Sequence, residues 1–193
     1  MLDESVREAA LRLFLEHGYE TTSMEAIAKA AGTTKASLYA RFPGKAEVFR
    51  SVLTWATNRP DWPFREPELP PPDDLGAALS AVADAAATRA LHPSMVKLSR
   101  IAAAQADRFP DVAERTQRTT RPRRRFLVEL LRHHAAEGAI RADDPELQAD
   151  LFLAMVASGP ARLATLGLTR DAAEQQRHTD AAVELFVRSL RPG

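Results

Sequence analysis

The chain has 193 residues, 45% of them apolar and 27% charged, with 26 cations balanced by 26 acids. That is the profile of a globular protein with its own core, and it speaks against a bulk polyanion binder and against a disordered chain. The absence of cysteine excludes disulfide scaffolds, thiolate zinc sites, iron–sulfur clusters and cysteine nucleophiles. No uninterrupted apolar run approaches the ~18 residues of a membrane span, and MLDESVREAALRLF lacks the basic start and apolar centre of a signal peptide. The expectation is a soluble cytoplasmic chain with no membrane partner.

Helix is the only element the pattern predicts. Alternating β-branched runs and Asn-Gly or Asp-Gly hairpin turns are absent, and alanine, the best helix former, is common. Val6, Ala10, Leu13, Phe14 and His17 recur at helical spacing, and Gly18 caps that first helix. Thr22 and Glu25 have capping-box spacing for a second helix, with Met24, Ile27, Ala28 and Ala31 as its buried stripe and Gly32 at its end. Thr34 is the N-cap of a third helix from Lys35 to about Phe42, with Leu38 and Phe42 inward. Pro43-Gly44 breaks the chain before a fourth helix, Lys45 to Thr57, whose inner face is Val48, Phe49, Val52 and Leu53.

Residues 58–73 hold six of the thirteen prolines, which forbids helix and predicts an extended connector, with Trp62 and Phe64 able to fold back onto a core. Helices are expected beyond it at about 74–91, 94–107, 110–120, 122–138, 145–167 and 170–190. Pro93, Pro110, Pro122 and Pro145 suit first-turn positions, the last behind an Asp144 cap, and Thr169 is placed to cap the last helix. Pro160 should bend the helix that contains it. The predicted domains are therefore 1–57, the connector 58–73, and 74–193.

The sharpest motif is the pair of short helices joined at Ala31-Gly32-Thr33, a helix-turn-helix spanning about 22–42. Glycine supplies the backbone angle that the turn needs, and the small Ala28 and Ala31 let the helices cross closely. The second helix opens with Thr34, Lys35, Ala36 and Ser37. Hydroxyls and lysine can bond base edges in a DNA groove, and an alanine methyl can touch a thymine methyl. Tyr39, Arg41 and Lys45 lie where side chains reach phosphates. Residues 26–46 contain four cations (Lys29, Lys35, Arg41, Lys45) and no acid. The alternatives are Thr22 as only a cap, Tyr39 as only core, and Lys45 as only a solvated helix start, although a lysine there opposes the helix dipole and asks for an anion.

The stretch LFLEHGYETTSMEAIAKAAGTTKASLYARFPGKAEVF resembles the DNA-binding domain of the TetR family of bacterial transcriptional regulators. The resemblance rests on the GY-x-x-T-S entry, the I-A-x-A-A-G core, the L-Y-x-x-F recognition helix and the lysine after it, and covers residues 5–53. It implies phosphate contacts from Thr22 and Ser23, base-facing positions at Thr33, Lys35, Ala36 and Ser37, and backbone anchors at Tyr39, Arg41 and Lys45. Thr33 stands where valine is typical, and Ala36 where glycine is common. The C-terminal part resembles that of the AefR-type branch. The implied function is a homodimeric repressor on a palindromic double-stranded DNA operator, released by a small-molecule effector, with the fourth helix as the lever.

The resemblance also implies a dimer interface in the last two helices: Phe152, Met155, Gly159 and Leu163, with Val183, Phe186, Val187 and Leu190. The alternative is that both stripes face the chain's own core. Candidate effector-pocket residues are Trp55, Trp62, Met95, Leu98, Ile101, Phe126, Leu130, His134, Phe152 and Met155, with Arg100, Gln105 and His134 as polar anchors. His133 and His134 point about 100° apart on a helix and do not form a metal pair. The arginines at 118, 121, 123, 124 and 125 sit where a helix dipole disfavours them and call for solvent, an anion or acidic neighbours. No cofactor is expected, and nucleophile-elbow, phosphate-loop, dinucleotide and HExxH motifs are absent, so no enzyme activity is expected.

Overall fold

In the computed structural model, residues 2–59, 62–63, 73–111 and 121–191 are described, the side chains of Asn58 and Arg121 excepted, and every regular element among them is helical. The elements are α1 (Leu2–His17), α2 (Met24–Ala30), α3 (Lys35–Arg41), α4 (Lys45–Asn58), α5 (Leu75–Leu91), α6 (Pro93–Ala104), α7 (Arg121–Ala136), α8 (Pro145–Leu153), a π-turn (Ala154–Ser158), α9 (Gly159–Thr165) and α10 (Ala172–Ser189). Phe64, Arg118, most of the 58–73 connector and most of the expected 110–120 helix lie outside the described residues.

The chain divides into two compact units: residues 1–63 with 97–119, and residues 64–96 with 120–193. Cutting the sequence at 57 and 74 misses that residues 97–119 belong with the first unit. Apolar spacing shows that a helix is buried somewhere, not which core it enters.

In the first unit, Val6, Ala10 and Phe14 of α1 meet Ile27 of α2, Leu38 of α3 and Val48, Phe49 and Val52 of α4. His17, placed in the α1 stripe by its spacing, is 59% exposed. Four aromatic rings lock one end: Phe14 meets Phe49 edge-on at 5.5 Å, Tyr19 lies 4.8 Å from Phe49, and Phe109 lies 5.4 Å from Phe49. Such contacts stabilise beyond the area they bury, by about 0.5–1.5 kcal/mol each.

In the second unit, Leu79 and Val82 of α5 pack with Leu127 and Leu131 of α7, Phe152 of α8, Val156, Phe186 of α10 and Leu190 just after it. The predicted 145–167 helix is one path with a local widening. Pro160 has no N–H for the carbonyl four residues back, and the Gly159 N–H reaches five residues back to the Ala154 carbonyl. The last helix is capped by Asp171, which accepts from the Glu174 amide at 2.7 Å, rather than by Thr169. Arg124 is offset by acidic neighbours: it donates to Asp150 at 2.6 Å and Glu146 at 3.3 Å.

Candidate nucleic-acid interface

The turn between α2 and α3 is built by Gly32, at φ +65°, where a side chain would be strained. Two backbone bonds close it: the Gly32 N–H donates to the Lys29 carbonyl at 3.2 Å and the Thr33 N–H to the Ala28 carbonyl at 3.0 Å. Thr34 then caps α3, accepting from the Ser37 amide at 3.1 Å. Leu38, 1% exposed, ties the helix to the core. That anchor turns Thr34, Lys35, Ala36, Ser37, Tyr39 and Arg41 outward together, while Thr33 is half-buried in the turn. Tyr39 is 42% exposed and is not a core residue.

Two assignments change at the entry to α2. The N-cap is Ser23, whose hydroxyl accepts from the Ala26 amide at 3.1 Å. Thr22 is neither cap nor phosphate ligand through its side chain: it is 3% exposed, and its hydroxyl donates to the Gly18 carbonyl at 2.7 Å. Glu25 does not complete a capping box either; it pairs with Lys35 across the turn. That hydrogen bond lowers the Glu25 carboxyl below its ordinary range and raises the Lys35 ammonium. Arg41 is likewise paired, donating to Asp3 at 2.8 Å. The acid-free window of residues 26–46 hid both partners, because Glu25 lies one residue before it and Asp3 comes from α1. Both pairs are more than one-third exposed, so solvent screens them strongly and another anion can displace them.

Lys45 also has partners within the unit. Its ammonium donates to the carbonyls of Tyr19 at 2.8 Å and Glu20 at 3.0 Å and lies 4.5 Å from the Tyr19 ring centroid. These oxygens and the π face offset the unfavourable helix dipole without an external anion.

A face of this kind, with short donors and one lysine at a helix start and cations at its edge, matches DNA-reading helices. The family model for bacterial regulatory proteins of the TetR family matches residues 6–52, and that for the AefR-like transcriptional repressor C-terminal domain matches residues 77–191. The chain belongs to the TetR family. The uncharacterized HTH-type transcriptional regulator YhgD of Bacillus subtilis is 28% identical over 151 residues, covering 77% of this chain and 76% of that one. The flavonoid-responsive regulator FrrA superposes with a TM-score of 0.79 and 31% identity, covering 99% of this chain and 97% of that one. A TetR regulator from Agrobacterium tumefaciens superposes with a TM-score of 0.75 at 23% identity, over 97% and 94% of the two chains, which concerns the fold alone. The protein is therefore a TetR-family transcriptional regulator with a helix-turn-helix DNA-binding domain.

The remaining candidates of this TetR-family chain are divided between the two units. Trp55, Trp62, Leu98 and Ile101 pack in or against the first core; Phe126, Leu130, Phe152 and Met155 pack in or against the second. His134, 7% exposed, and the half-buried Met95 belong to the second unit, and Arg100 is exposed. These candidates thus fall into two sets, one in each unit. Trp55 and Trp62 share a cleft of about 440 Å³ with Leu11 and Leu15, within the first unit.

Four interface candidates face their own core: Phe152 is 0% exposed, Leu190 0%, Phe186 5% and Val183 9%. Met155, Leu163 and Val187 are half-buried and Gly159 is exposed. The outward large apolar residues in this region are Leu147 and Leu151 of α8, Leu166 and Leu168 just after α9, and Leu185 of α10, exposed by 54%, 53%, 70%, 61% and 62%. No helix among the described residues is long and apolar enough to cross a membrane.

Proposed function

We propose that this regulator is a repressor that binds a palindromic operator as a homodimer and is released by a small-molecule effector. The observation that carries the DNA reading is the outward set Thr34, Lys35, Ala36 and Ser37 at the start of α3, held by buried Leu38. In this reading Lys35, Ser37 and the half-buried Thr33 face base edges with Ala36, whose methyl suits thymine, while Ser23, Thr34, Tyr39 and Arg41 meet phosphates. Lys45 acts mainly by fixing the loop at Tyr19 and Glu20, with one ammonium hydrogen left for a phosphate.

A homodimer aligns two recognition helices with a two-fold operator. Its interface is assigned to Leu147, Leu151 and Leu185, extended by Gly159 and Leu163, since Phe152, Val183, Phe186 and Leu190 are buried in the core and Met155 and Val187 pack half-buried against it. Ligand release is supported by the likeness to FrrA, a flavonoid-responsive regulator. Within the second unit, His134 is a buried polar side chain with Glu137 at 3.8 Å and is the orienting group assigned to an effector placed near Phe126 and Met155. The effector must bind the DNA-incompetent state more tightly, because equal affinity for both states shifts nothing.

The test is selection of bound sequences from a random duplex pool, with the intact chain and with Lys35→Ala. The reading expects a two-fold motif for the intact chain and a changed base preference for the variant. An unchanged motif and affinity in Lys35→Ala contradicts the assignment of α3. A metabolite and drug screen that includes flavonoids, scored by release of the selected duplex, tests the effector.

A further inference from the structure

The first unit carries an open cleft of about 770 Å³ between α1, the end of α3 and α4, and four arginines line it: Arg7, Arg41, Arg50 and Arg59, against the single carboxylate of Glu47. This volume lies within the range of small-molecule sites, about 300–1,000 Å³. Three of the guanidiniums are held by carboxylates. Arg41 donates to Asp3 at 2.8 Å, Arg59 to Glu8 at 3.3 Å, and Arg50 pairs with Glu47 and, at 3.4 Å, with Asp111. Asp3, Glu8 and Asp111 do not line the cleft; they hold three cations around it from outside.

Arg7 differs. It is half-buried, its Nε donates to the Ser51 hydroxyl at 2.8 Å, and among the described residues no carboxylate pairs with it. A half-buried guanidinium with only a neutral partner leaves its planar fork of terminal N–H groups for an anion, which a phosphate or carboxylate fits in bidentate fashion. Ser51 stands one helical turn before Trp55, which lines the same cleft and carries the Arg59 guanidinium 4.6 Å from its ring. The cleft thus offers an anion seat at one point and an aromatic wall one turn away.

We propose that this cleft binds a small aromatic anion, its phosphate or carboxylate on Arg7 and Ser51 and its ring against Trp55. The site lies in the first unit and is separate from the effector placement argued above. Its effect on operator binding, unlike the binding itself, rests on the DNA reading: an anion there adds negative charge in the cleft that Arg41 lines and lowers the local attraction for DNA phosphates.

The probe is 1-naphthyl phosphate, titrated calorimetrically into the full chain without DNA, with 1-naphthol and inorganic phosphate as comparisons. One site is expected, with affinity about tenfold or more above either comparison compound. Arg7→Gln should weaken 1-naphthyl phosphate by about tenfold or more, and Arg7→Lys should restore part of it. Trp55→Leu, which keeps Arg7, should weaken 1-naphthyl phosphate and leave inorganic phosphate unchanged; it serves alone should circular dichroism show Arg7→Gln unfolded. Comparison compounds that bind as well as the probe, or variants that bind it unchanged, overturn the proposal. Affinity for a random-sequence duplex that falls in Arg7→Gln as much as affinity for the probe does makes backbone phosphate the occupant and also overturns it. Because the titration contains no DNA, its result stands apart from the failure or success of operator recognition.

Discussion

Lys35 shows how a residue's place in a helix can be read while its setting is missed. Its place at the start of α3 follows from the Thr34 cap, but its ion pair with Glu25 spans the turn and has no helical spacing. Glu25 competes with DNA for the ammonium, so Glu25→Gln should tighten binding to duplex DNA about threefold to tenfold at low salt, measured by fluorescence anisotropy. The intact protein should gain affinity in the same way as pH falls and Glu25 protonates. The sign follows from its lowered carboxyl: the pair is fully present above the ordinary carboxylate range and is lost only as pH passes below the lowered value. Thr22 is the converse case. Its capping pattern is real in the sequence, yet its hydroxyl serves the Gly18 carbonyl inside the unit. Thr22→Val should cost about 1–3 kcal/mol in urea denaturation by leaving that carbonyl unsatisfied. DNA affinity of the folded protein should be unchanged.

At the scale of elements, local chemistry fixes most of what is seen. Gly18 and Gly32 stand at φ +82° and +65°, where their sequence positions require a stop or a turn. Asp144 and Thr34 cap the helices they precede, and the prolines at 93, 122 and 145 occupy first turns. Caps are legible because donor and acceptor are three residues apart. They fail where two candidates compete within that distance, as Ser23 displaces Thr22 and Asp171 displaces Thr169. Asp171→Ala should destabilise the protein by about 1 kcal/mol in thermal or chemical denaturation, with Thr169→Ala close to neutral. The π-turn before Pro160 was legible only as a bend, since the place where the backbone takes up a missing N–H depends on the packing of Val156 in the core.

At the scale of the molecule, the helix-turn-helix was legible and the larger surfaces were not. The helix-turn-helix depends on contacts within about twenty residues, which spacing reports. Core and partner surfaces both read as apolar stripes, and only the fold separates Phe186, 5% exposed, from Leu185, 62% exposed, one position apart. Leu151→Asp and Leu185→Asp should therefore yield folded monomers with weakened operator binding, seen by light scattering. Phe186→Asp buries a charge at a cost of several kcal/mol and should unfold the second unit instead. Dimeric, folded Leu151→Asp and Leu185→Asp proteins place the interface elsewhere.

The most direct measurement of the central claim is binding of the intact protein to the duplex upstream of its own coding region, against a shuffled duplex of equal composition. It should be followed by anisotropy across salt and by footprinting. The expected result is preferential retention of the native duplex, a two-fold protected site with half-sites about one helical turn apart or slightly more, and an affinity that falls about a thousandfold or more between about 50 and about 200 mM salt. Equal, weak affinity for both duplexes with no protected site, in a protein shown to be folded, contradicts it.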